Sequence, residues 1–122
     1  MRGCVYYRSI RESLQMACDG LCESRIYMKD GTVHYLSRHG YAHRSAEYGD
    51  EFTYVSMKNQ KPRVFTDRGK ITIEFVDDSG RLMSRQKIKE SDIMVISEVD
   101  EDGRTIRVVW NVWWHVEIRE DD

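Results

Sequence analysis

Seven apolar residues, Ile106, Val108, Trp110, Val112, Trp114, Val116 and Ile118, occupy every second position of the stretch RTIRVVWNVWWHVEIRE, residues 104–120. Strict alternation is the mark of a β-strand with one buried face, because successive side chains point to opposite sides of a pleated backbone. The run predicts a strand of about a dozen residues, roughly twice the usual length, that bends or coils around a core. It places Trp110 and Trp114 in that core. The other face reads Thr105, Arg107, Val109, Asn111, Trp113, His115, Glu117 and Arg119, polar except at Val109 and Trp113.

A strand of this kind needs partners, and the rest of the chain supplies them. Ser9-Ile10-Arg11-Glu12 has the spacing of a capping box, in which a serine hydroxyl and a glutamate each satisfy an orphan amide at a helix start. Ile10, Leu14, Ala17 and Leu21 follow at three- and four-residue steps, and Gly20 is placed to end the helix, so residues 10–19 are expected to be helical. Asp30-Gly31 between β-rich flanks predicts a tight hairpin pairing Lys29 with Thr32, Met28 with Val33 and Ile26 with Tyr35. Residues 39–51 show no periodicity and are expected to form a surface loop. Phe52 to Met57 reads as a strand that Lys58 to Pro62 breaks, because proline cannot donate to a ladder. Lys70 to Val76, Leu82 to Ile88 and Ile93 to Val99 read as strands, with turns at Asp77-Asp78-Ser79-Gly80 and Asp100-Glu101-Asp102-Gly103. The fold class this predicts is α+β: one N-terminal helix packed on a twisted antiparallel sheet or a partly closed β-barrel, in a single domain spanning residues 1–122.

Composition narrows the function classes. Charged residues make up 33% of the chain and hydrophobic ones 40%, with one proline, which excludes low complexity. No apolar run approaches the roughly 20 residues that cross a bilayer, and the first residues do not resemble a secretory signal. Cys4, Cys18 and Cys22 are an odd set that fits reduced thiols and a cytoplasmic location. The net charge is −2, which argues against a protein built chiefly to grip phosphate backbones. Its distribution is uneven: Lys58 to Lys89 holds nine bases against four acids, and Glu90 to Asp102 holds six acids and no base.

Four groups of residues are candidates for chemistry. Trp113 with Arg107, Asn111 and His115 forms a binding strip if the polar face of the long strand is open, since aromatic platforms among hydrogen-bonding groups serve interfaces and ligand clefts. Arg85, Lys87 and Lys89 share a strand face and, with the bases from Lys58 to Arg68, suit phosphates or an acidic protein surface; lysines on an edge strand also discourage pairing with another chain. Cys18, Cys22, His39 and His43 are the ligand types of a structural zinc site, but cysteines ending a helix and histidines in a loop do not match the zinc-finger arrangement, and no metal or cofactor is expected. Asp77-Asp78 with Lys87 and Lys89 faintly resembles a nuclease arrangement, and a turn beginning with aspartates explains the same letters.

The functional expectation is a small non-enzymatic binding module that occupies a protein partner, as an accessory or inhibitory protein of the kind viruses and mobile elements encode. RNA or single-stranded DNA binding through residues 58–89 ranks second, with weak and salt-sensitive affinity, and a small enzyme or structural zinc domain third. A homodimer is expected, with the hairpin Ile93 to Ile118 supplying most of its interface and Trp113 near the centre.

Overall fold

A computed structural model of the chain describes residues 9–45, 52–56 and 60–111. Helix α1 (Ile10–Cys18) is followed by β1 (Glu23–Met28), β2 (Val33–Ser37), β3 (Gly40–Arg44), β4 (Phe52–Ser56), β5 (Gln60–Asp67), β6 (Lys70–Asp77), β7 (Leu82–Lys89), β8 (Ile93–Val99) and β9 (Thr105–Trp110). A single 3-10 turn, Glu90–Asp92, joins β7 to β8. The strands form two antiparallel sheets, one of order β4-β3-β2-β1-β8-β9 and one of order β5-β6-β7. The fold is α+β, with the helix packed on sheet and no closed barrel. Among the described residues no helix is long and apolar enough to cross a membrane.

The helix begins where the capping box places it. Ser9 is in extended conformation and its Oγ accepts the Glu12 amide at 3.0 Å, satisfying one orphan donor. Gly20 has a φ of +83°, the left-handed exit that a residue without Cβ adopts freely. Leu21 does not continue the apolar stripe; it lies beyond that exit and is 65% exposed.

Ile10, Leu14, Ala17 and Cys18 bury the helix against both sheets. The larger sheet contributes Ile26, Met28, Leu36, Tyr41, Ile93, Ile96 and Val109 to the core, and the smaller one Val64, Ile71, Ile73, Phe75 and Ile88. One helix of about 14 Å therefore joins two sheets into one core. The decisive polar contact lies inside it: Ser13 Oγ, fully buried, donates to Oε2 of Glu98 on β8 at 2.7 Å.

Four further sequence expectations need correction. The hairpin β1–β2 pairs Tyr27 with Val33 and Ile26 with His34, one residue away from the expected register. Its turn uses three residues: only Gly31 takes a positive φ, and the Asp30 carboxylate accepts the Thr32 amide at 2.8 Å, a loop-plus-bulge geometry in place of the two-residue turn. Residues 40–44, expected in a loop, form β3, whose partners are β2 and β4. Pro62 does not break the chain but sits in β5, an edge strand, where a missing amide costs least. Fourth, Trp110 is not in the core: it is 41% exposed, and Val109 is buried in its stead. The long strand is described as far as Trp110, so Trp113, Trp114 and His115 lie outside the described residues.

Removing the Ser13 hydroxyl leaves the buried Glu98 oxygen short of a donor, so Ser13→Ala is expected to cost about 2 kcal/mol. Urea denaturation followed by circular dichroism checks this, with the folded spectrum unchanged. A loss within about 0.5 kcal/mol, typical of an indifferent site, overturns it.

Candidate functional site

The orientation of β9 is set by polar groups. Glu98 has no exposed surface, and besides the Ser13 hydroxyl it receives Arg107 Nη1 at 3.3 Å on Oε1. Asn111, 2% exposed, donates through Nδ2 to the carbonyls of Glu90 at 3.0 Å and Ile93 at 2.8 Å. Buried polar groups left without partners cost more than exposed apolar ones. Arg107, Val109 and Asn111 therefore face the helix, and Ile106, Val108 and Trp110 face outward, 54%, 48% and 41% exposed.

On this outer face Trp110 opposes Val95 and Val108 opposes Ser97, while the register steps past Ile106 at the bulge beside Glu98 and Val99. Tyr27 and Arg25 of β1 continue the face beside Val95 and Ser97. The Arg25 guanidinium lies 6.0 Å from the Tyr35 ring centroid, within cation–π range. Beyond it, Glu23, Tyr35, Ser37, His39, Gly40 and Ala42 line a depression of about 240 Å³. An apolar row on β9 thus leads across the sheet to this depression.

The second exposed surface is the outer face of the three-stranded sheet, where register sets the side chains in rows across β5, β6 and β7. One row is Asp67, Lys70, Lys89; the next Phe65, Thr72, Lys87; the next Arg63, Glu74, Arg85. Lys61 and Leu82 flank Val76 at the end. Glu74 receives Arg85 at 2.9 and 3.1 Å and Arg63 at 3.1 and 3.2 Å. The Arg85 hydrogen bonds, then those of Arg63, hold its carboxyl below the usual range. Phe65 is 46% exposed, with the Arg63 guanidinium 5.3 Å from its ring centroid.

A third cluster is partly buried. His34 Nδ1 and Tyr41 Oη are 2.6 Å apart, and the rings of His34, Tyr41 and His43 lie within 6.2 Å of one another by centroid. Burial pulls His34 down to about 4, the His43 ring adding to the effect, and burial pushes Tyr41 up. Among the described residues, neither His34 nor Tyr41 is shown hydrogen-bonded to a carboxylate.

Of the residues singled out from sequence, Arg107 and Asn111 are engaged on the helix-facing side, and Arg85 is held by Glu74. Lys87 and Lys89 are exposed on the basic face. Cys18 is buried, and burial, with Asp19, pushes its thiol up to about 12. His39 lies in the β2–β3 turn and His43 on β3; among the described residues no three His, Cys, Asp or Glu side chains converge as metal ligands. The Asp77 carboxylate is used by its own turn, accepting from Ser79 and the Arg81 amide, and Asp77 sits at the end of β6 away from Lys70, the partner of Lys89. Sequence reading missed Phe65 as a surface group and placed Arg63 in or near a loop, whereas both lie on β5. The alternation of Pro62, Val64 and Thr66 against Lys61, Arg63 and Phe65 was the available signal, masked by the proline.

The His34 environment has a consequence for pH. The unfolded chain protonates this residue near 6.5 and the folded chain only near 4, so in between the unfolded state binds the extra proton. Its contribution is fully present above pH 6.5 and is lost as pH falls towards 4. Allowing for the partial exposure of the ring, about 2 kcal/mol should be lost across that window. Urea midpoints at pH 7 and pH 4 measure it, and His34→Gln should flatten the dependence; the same slope in that variant overturns the assignment.

Comparison with protein-family models, curated proteins and solved structures finds no match, so functional conclusions for this chain rest on its own residues and their geometry.

Proposed function

We propose that the chain is a non-enzymatic binding module that acts by occupying a protein partner, seated on the outer face of the six-stranded sheet around Ile106, Val108 and Trp110. The observation that carries this reading is the row of three large apolar side chains, each between 41% and 54% exposed, on the last strand of the six-stranded sheet among the described residues. Contiguous apolar surface of this kind marks interaction sites. A rim supports it: Arg25 and Tyr35, with Glu23, Ser37 and His39 beside them, supply the polar border that interfaces commonly have. The homodimer expected from the sequence would use this same edge, and an accessory or inhibitory role is what occupying a partner would achieve.

The test compares wild type with Val108→Lys and Trp110→Ala. Both positions are exposed, so unfolding midpoints should move little, whereas loss of a central interface tryptophan typically costs about 2 kcal/mol, roughly thirtyfold in affinity. Light scattering comes first: a dimer that either variant dissociates assigns the face to a second copy. For a monomer, proteins cross-linked to the chain in nuclease-treated host extract are compared across variants. Partners retained by wild type and lost by both variants support the proposal; partners retained equally by all three refute it.

A further inference from the structure

We infer that the outer face of the β5-β6-β7 sheet is a binding platform for single-stranded nucleic acid, with Phe65 stacking a base and Lys87 and Lys89 tracking the phosphates. Three observations converge on it.

The first is the charge remaining after internal pairing. The one acid at the centre of the face, Glu74, is bonded by two arginines and is thereby overbalanced. Lys87 and Lys89 have no acid opposite them: their cross-strand partners are Thr72 and Lys70. Asp67, at the corner, is the only other acid in these rows.

The second is spacing. Alternate residues of a strand project from the same face about 7 Å apart. That repeat is of the order of the distance between successive phosphates in an extended single strand, so Arg85, Lys87 and Lys89 form a straight cationic track. The β5–β6 turn prolongs it, where Arg68, Gly69, Lys70, Lys89, Glu90 and Ser91 line a depression of about 220 Å³.

The third is Phe65. It sits one row-width from Lys87, separated by Thr72, with nearly half of its surface in solvent. Edge-strand lysines that merely discourage pairing would account for β7. They leave unexplained an exposed phenylalanine carrying an arginine on its ring at the opposite edge. An aromatic ring and guanidinium beside a basic track are what sequence-tolerant single-strand binding uses, since every base has a π-face. Charge complementarity selects a polyanion, and the ring selects one with unpaired bases.

The experiment is fluorescence anisotropy of the full chain with labelled oligo(U) and oligo(dT) of about a dozen nucleotides, at about 50 mM salt and above. Micromolar binding is expected, with log K falling against log salt at a slope near −2, as for about three phosphates on a single strand. Phe65→Ala should weaken binding about tenfold while leaving that slope unchanged. The double variant Lys87→Glu, Lys89→Glu should abolish measurable binding, with circular dichroism verifying that both variants fold. Tighter binding of oligo(U) assigns RNA, and of oligo(dT) DNA; equal binding assigns single strands of either sugar. The inference fails if neither oligomer binds at low salt or if a duplex of the same sequence binds as tightly. It also fails if Phe65→Ala binds like wild type, or if poly-glutamate binds as well as the oligomers, which would hand the face to an acidic protein.

Discussion

A carboxylate with no exposed surface is tolerated only if its oxygens are bonded, and Glu98 obtains those bonds from opposite ends of the chain. Ser13 reaches it from the helix, 85 positions earlier in sequence, and Arg107 from the neighbouring strand. The first contact fixes how α1 lies on the large sheet; the second fixes which side of β9 turns inward. Replacing an ion pair of this type by apolar groups can be neutral or better for stability. Its contribution here is geometrical: one buried acid sets the seating of the helix and the facing of a strand.

From that constraint follows the division of the surface. Because Arg107 and Asn111 must point to their buried acceptors, the alternation of β9 forces Ile106, Val108 and Trp110 outward, against their solubility preference. On the smaller sheet Ile71, Ile73 and Phe75 fill the core, and the opposite face carries mainly charged groups, with Thr72, Phe65 and Leu82 among them. The molecule thus offers one mainly apolar edge and one mainly basic face, from two sheets around the same core. A local rule broken on β9 and an aromatic exposed on β5 are the places where folding preference alone does not explain the residues, and such places tend to be functional.

Much of the architecture was legible in the residue order. The capping box, the glycine exit at Gly20, the aspartate-led turns ending at Gly80 and Gly103, and the alternation of β6 all lie where the sequence puts them. Each depends on backbone preference or on bonds among neighbours, as when the Asp100 carboxylate accepts the Asp102 and Arg104 amides. Less was legible in β3, whose Gly40-Tyr41-Ala42-His43-Arg44 has weak strand character and is held by β2 and β4 on its two sides. The candidate sites were half visible. The basic column of Arg85, Lys87 and Lys89 could be read directly, but Phe65 and Arg63 reach it only through pairing of β5 with β6.

The sequence by itself determined the helix, the aspartate-led turns at Gly80 and Gly103 and the strands β6, β7 and β8, because these arise from interactions a few residues long. It determined that β9 has two unlike faces. Which of the two is buried was decided by the tertiary structure alone. Period-two alternation is symmetric under exchange of faces, and hydrophobicity favoured the tryptophan side. The choice fell the other way because Glu98, Glu90 and Ile93 present acceptors to the interior that only Arg107 and Asn111, among the described residues of β9 and its end, are placed to satisfy. The one-residue register of the first hairpin has the same origin. A three-residue turn and the pairing of Ile26 with both His34 and Ile96 put the apolar side chains of β1 on the core, and that core does not exist until both sheets and the helix have met.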